Sequence, residues 1–177
     1  MACGHSDATY EQALEAVAHG ASVATHTFNA MSPLHHRAPG MAGASLTCPQ
    51  LYAEFIADFV HLHPATIRLI LAAKGRNRAL AITDCMKYGG LTEAEQAALP
   101  GDRAVRDGAP RLPDGTLAGS CLTLDQSLRN LVLGLLGDKR HVLILSALAT
   151  PGLVQRVFLY TPDTPRACPA QRLLATA

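Results

Sequence analysis

The sequence has no tryptophan, only 5% aromatic residues and no surplus of either charge: 15 Lys and Arg stand against 14 Asp and Glu, a formal net charge of +1. A near-neutral chain lacks the basic excess that holds phosphate backbones or an anionic membrane, so neither nucleic acid nor a membrane is an expected partner. The five cysteines (Cys3, Cys48, Cys85, Cys121, Cys168) are odd in number, scattered and never paired as Cys-x-x-Cys. That pattern fits reduced thiols rather than a disulfide framework or a zinc knuckle. No uninterrupted apolar run approaches the roughly 18 residues of a membrane span, and the opening residues show neither the basic nor the apolar part of a secretory leader. The expected compartment is the cytoplasm.

What is present is a 177-residue chain, 49% hydrophobic, with 8 histidines. The length suits one domain with a real core, but falls short of the roughly 250 residues of a closed (β/α)8 barrel. Asp7-Ala8-Thr9 leads into a helical pattern with Ala13, Leu14, Val17 and Ala18 on one face, Thr9 and Gln12 forming a capping box and Gly20 the stop. Ser22 to Thr25 predicts a strand that feeds a long loop from Asn29 to Gly43. The pattern returns with a strand over Leu51 to Asp58, a turn holding His61 and His63, and a helix that starts at Pro64 and ends at Gly75. Ala79 to Thr83 predicts a further strand. The segment Lys87 to Gly115 is rich in Gly, Pro and charge, with a small hairpin around Arg103 to Val105. Ser120 then caps a helix from about Leu122 to Leu136. Strands alternating with helices predict a parallel α/β sheet over residues 1–137. Within residues 138–177, His141 to Ala149 and Leu153 to Tyr160 are apolar but Thr161 to Arg172 lacks a periodic pattern, and the whole is expected to form a poorly organised tail.

In such a sheet, chemistry gathers beyond the carboxyl ends of the strands. His5, His26, His61 and Asp84 fall at or just after four such ends. Any one of these histidines alone is more often a hydrogen-bonded structural residue, and an Asp in a βα turn is commonly a helix cap. Four in register favour a site. Two imidazoles from neighbouring strands suit a divalent transition metal, which would lower the pKa of a water towards 7, and Asp84 could carry the proton to a leaving group. The pattern predicts metal-assisted hydrolysis, provided that a third ligand exists.

The segments Gly4-His5-Ser6-Asp7-Ala8-Thr9, Thr25-His26-Thr27-Phe28-Asn29-Ala30-Met31-Ser32-Pro33 with His35-His36-Arg37, Ile82-Thr83-Asp84, and Gly115-Thr116-Leu117-Ala118-Gly119-Ser120 together resemble N-acetylglucosamine-6-phosphate deacetylase, of the amidohydrolase superfamily. The resemblance runs from about Gly4 to Val132. It implies a metal-dependent (β/α)8 barrel and removal of acetate from N-acetylglucosamine 6-phosphate in amino-sugar catabolism. It also implies roles: His5 and His26 as metal ligands, zinc being the expected ion, and Asp84 as catalytic acid/base. Asn29, Ala30 and Arg37 would contact the sugar phosphate, His61 the substrate, and Leu117, Ala118 and Gly119 would close over it. The guanidinium of Arg37 is a planar fork suited to phosphate, although a lone loop arginine is more often simply solvated. The family resembles a homodimer acting on a small amino-sugar phosphate.

The family's third metal ligand, a glutamate, lies upstream of the Gly-His-Ser motif, which makes this chain a partial barrel expected to be truncated at its N-terminus. Phe59 stands where the family usually has glycine, and an aromatic in that turn is expected to crowd the substrate. Two alternatives stay open: a deacetylase for a related sugar such as N-acetylgalactosamine 6-phosphate, and a non-catalytic remnant.

Overall fold

A computed structural model of the chain describes residues 1–136, 143–146 and 156–159. Strand β1 (Ala2–Cys3) leads to helix α1 (Tyr10–Ala18), which opens on the predicted capping box. The Thr9 hydroxyl accepts from the Gln12 amide at 3.3 Å, and the Gln12 side-chain carbonyl accepts from the Thr9 amide at 2.9 Å. Strand β2 (Val23–Ala24), helix α2 (Gly40–Thr47), strand β3 (Tyr52–Ile56), helix α3 (Pro64–Arg78) and strand β4 (Ala79–Ile82) follow. Within α3 the backbone leaves helical geometry at Gly75, the residue at which the sequence predicted the stop.

Helix α2 occupies part of the span expected to be a loop. Seven of its eight residues are buried, so it has no polar face and none of the periodicity by which a surface helix is recognised. Leu14, expected on the buried face of α1, is 37% exposed, while Ala13 beside it is 2% exposed. The Lys87 to Gly115 span contains helix α4 (Glu93–Ala98) and a hairpin of β5 (Ala104–Arg106) and β6 (Ala109–Arg111). The last predicted helix starts later than expected, as α5 (Leu124–Arg129), and continues as a π-helix over Asn130–Leu136. Ser120 does not cap it: its hydroxyl donates to the Thr83 carbonyl and accepts from the Leu122 amide.

Strands β1, β2, β3 and β4 are parallel and lie side by side in sequence order. A doubly wound sheet reverses that order at a switch point, whereas a barrel wall does not. Strand β4 also pairs antiparallel with β8 (Arg156–Leu159), which pairs antiparallel with β7 (Leu143–Ser146), giving an open sheet among the described residues. Those two strands fall in the expected tail; the rest of 138–177 lies outside the described residues.

The core sits on both faces of β3 and β4, as parallel sheets require. Ala53, Phe55, Ala79 and Ala81 pack with Leu46, Ile67, Ile70 and Leu131. Ile56 and Ile82 form a second cluster with Leu122. Burial of β3 and β4 on both sides fixes where their carboxyl ends point, and those ends carry the site. No helix among the described residues is long and apolar enough to cross a membrane.

Candidate active site

Parallel pairing brings the carboxyl ends of β1 to β4 to one edge. His5 and His26 each stand two residues beyond their strand, Asp84 two residues beyond β4, and Asp58 and His61 occupy the turn after β3. The backbone there is unusual. His5 (φ 45°), His26 (φ 31°), Phe28 (φ 77°), Ala30 (φ 48°), Phe59 (φ 64°) and Asp84 (φ 46°) are all left-handed, a region that side-chain-bearing residues enter at a cost. Such strain concentrates where side-chain placement matters more than stability.

The β1 and β2 ends are held close. A Cβ on Gly4 would lie 2.9 Å from the Thr25 Cβ, so only glycine allows this approach. Beyond it, the Ser6 amide donates to the Ala30 carbonyl at 2.9 Å and the Ser32 amide to the Ser6 carbonyl at 3.0 Å. These contacts bring the His5 and His26 rings together edge to face, with centroids 4.6 Å apart. His5 is exposed and His26 is 5% exposed. The Nδ1 of His26 is buried without a hydrogen-bond partner. An unpartnered buried nitrogen is costly, and a bound cation is one way to satisfy it. The two imidazoles therefore fit a divalent transition metal, but as an incomplete set: no group of three or more His, Cys, Asp or Glu side chains gathers among the described residues.

Asp84 is exposed, and its carbonyl accepts from the Ser120 amide at 3.0 Å, while the Ser120 carbonyl accepts from the Met86 amide at 2.9 Å. The loop Leu117, Ala118 and Gly119 is thereby drawn against Asp84, with all three residues half-buried. Gly119 has φ 90°, and a Cβ there would meet Met86 Cγ at 2.5 Å. Cys85, next to Asp84, is exposed, and partial desolvation of its thiol raises its pKa.

The remaining expected contacts are placed less uniformly. The Asn29 side-chain amide points back into its own loop, donating to the carbonyls of His26 (3.2 Å) and Thr27 (3.4 Å). Ala30 is exposed. Arg37 is exposed too, its Nη1 donating to His36 Nε2 at 2.7 Å and its amide to His35 Nδ1 at 3.3 Å, so its recorded partners are its own neighbours. Phe59 spends its ring in packing against the core.

Sequence reasoning passed over Asp58. Its Oδ2 lies 2.6 Å from His61 Nδ1, and its Oδ1 accepts from the amides of Val60 (2.9 Å) and His61 (2.8 Å). Burial works against ionisation of Asp58, but the hydrogen bonds from the His61 ring and from those amides outweigh it and hold the carboxyl below its ordinary value. The Asp-x-x-His spacing at a strand end was the available signal.

Fold and site together define a class: an α/β chain that presents imidazoles and a carboxylate at the carboxyl edge of consecutive parallel strands, where α/β enzymes carry their chemistry. Within that class, the chain is a homologue of the N-acetylglucosamine-6-phosphate deacetylases. It is 42% identical over 132 residues to the N-acetylglucosamine-6-phosphate deacetylase of Lysinibacillus sphaericus, covering 74% of this chain and 34% of that protein. It is 39% identical over 129 residues to an N-acetylgalactosamine-6-phosphate deacetylase of Escherichia coli O157:H7, covering 73% of this chain and 34% of that protein. The solved N-acetyl-D-glucosamine-6-phosphate deacetylase of Mycobacterium smegmatis matches with a TM-score of 0.69 at 36% identity, over 78% of this chain and 37% of that one. No protein-family model matches the chain. The chain spans about a third of the length of the curated relatives named above.

Proposed function

We propose that the strand-edge residues form part of a metal-dependent deacetylase site for N-acetylglucosamine 6-phosphate, and that β1 to β4 are consecutive strands of a (β/α)8 barrel. The observation that carries this reading is the contact between the His5 and His26 rings, 4.6 Å apart, with the Nδ1 of His26 buried and unpartnered. The sequential order of the parallel strands supports the barrel.

His5 and His26 would hold the divalent ion, with zinc the expected one. Such an ion polarises an amide carbonyl and acidifies a water. Asp84 then takes a proton from the attacking water and passes it to the amide nitrogen as the C–N bond breaks, which releases acetate and leaves the free amine. In this reading Arg37, with the loop at Asn29 and Ala30, would bind the phosphate, His61 would contact the sugar, and Leu117, Ala118 and Gly119 would close over it. The odd number and scattered placement of the five cysteines favour a reducing compartment, the cytoplasm.

A second reading, a non-catalytic chain, is favoured by the incomplete ligand set among the described residues. A single experiment separates the two. The chain is equilibrated with zinc, and release of glucosamine 6-phosphate is measured for wild type and Asp84→Asn. Turnover that disappears in Asp84→Asn supports the enzyme; no turnover at any zinc concentration supports the second reading. Running N-acetylgalactosamine 6-phosphate in parallel reads out the sugar preference.

A further inference from the structure

We propose that Asp58 is a positioning residue that fixes the tautomer of His61, so that Nε2 is presented as a hydrogen-bond acceptor to a donor group of the bound sugar. The proposal deepens the deacetylase reading and rests on it for the identity of the sugar. Its structural part rests on the turn after β3.

Asp58 divides its two oxygens between two tasks. Oδ1 accepts from the backbone amides of Val60 and His61, which shapes the turn. Oδ2 is left for the ring alone, 2.6 Å from Nδ1. A turn cap needs only the first oxygen, so the second contact is not explained by turn formation. The side chains of His61 and Asp58 are 5% and 7% exposed, so water competes weakly for this bond. An ionised carboxylate can only accept, so Nδ1 carries the hydrogen. In the neutral ring the lone pair then resides on Nε2, which has no hydrogen-bond partner among the described residues. A free acceptor at the carboxyl edge of the sheet suits a hydroxyl or N–H donor of the ligand.

The test uses the full chain labelled with 15N, the His61 ring nitrogens being assigned by their loss in His61→Gln. In wild type, Nδ1 is expected to be protonated and Nε2 unprotonated. Asp58→Asn keeps a carbonyl for the two amides but offers an N–H to Nδ1, so the ring proton is expected to move to Nε2. A proton on Nε2 in wild type, or the same tautomer in both proteins, overturns the proposal. If Asp58→Asn does not fold, Asp58→Ser replaces it: the hydroxyl can cap the turn but cannot reach the ring, and an unchanged tautomer there overturns the proposal equally. Where wild type turns over, Asp58→Asn is expected to lower kcat/KM at least about tenfold with zinc content unchanged; an unchanged kcat/KM removes the catalytic part of the proposal. Absence of turnover in wild type counts against the deacetylase reading, and the tautomer measurement still decides the role of Asp58.

Discussion

His26 and His61 stand at the ends of neighbouring strands, and each has little exposed side chain, yet the chain treats them differently. His61 is partnered: one ring nitrogen meets Asp58 at 2.6 Å, and Asp58 is itself tied to two backbone amides. The Nδ1 of His26 is buried and has no partner, and its ring touches another imidazole instead of a carboxylate. A partnered ring has its tautomer chosen in advance and offers one defined nitrogen. An unpartnered ring beside a second imidazole keeps donor capacity for something electrophilic. The proposed division of roles, one pair orienting substrate and the other holding a cation, rests on this difference.

The largest expected effect tests the carboxylate between these roles. Asp84→Asn should lower turnover about 100-fold to 10,000-fold while zinc content stays constant, because a lost general acid/base removes proton transfer and not metal binding. Measured kcat and zinc content that fall together would blur the division. Next, His26→Ala should abolish saturable zinc binding and with it any zinc-dependent rise in Tm, whereas Asp58→Asn should leave both unchanged; calorimetric titration reads the first and a melting curve the second. Gly119→Ala should destabilise by about 1–3 kcal/mol in urea unfolding, since it combines a left-handed backbone with a clash against Met86.

The smallest effect is on pH dependence. The carboxyl of Asp58 is held below its ordinary value of 3.8, so its contribution to stability is present above that pH and is lost as pH falls through the lower folded value. Wild type should therefore lose stability more steeply than Asp58→Asn as pH is taken below 3.8, as measured by urea unfolding at several acid pH values. Equal slopes would mean that the His61 contact contributes nothing.

Features written in local chemistry were legible in the sequence. The Thr9 and Gln12 capping box, Pro64 at the first turn of α3, the break at Gly75 and the apolar strand Ala79–Ile82 all appear where turn and cap residues put them. The strand-edge positions of His5, His26 and Asp84 followed from the same alternation of strand and helix. Helix α2 was hidden because burial on all sides removes the polar stripe that marks a helix, and Pro39, Gly40 and Gly43 read as loop. Helix α4 carried a readable signal, the capping box of Thr92 and Glu95, inside a stretch whose composition suggested irregular chain. Asp58 was missed for another reason: its role lies in a side-chain contact made across a turn, and the Asp-x-x-His spacing that hints at it shows in neither composition nor periodicity.

The central claim is that His5 and His26 act as one metal-holding pair, and zinc titration of the full chain followed calorimetrically tests it most directly. The account predicts a saturable site that is lost in His5→Ala and in His26→Ala but retained in Asp58→Asn. Zinc binding that survives both histidine substitutions, or that disappears only with Asp58→Asn, would contradict it.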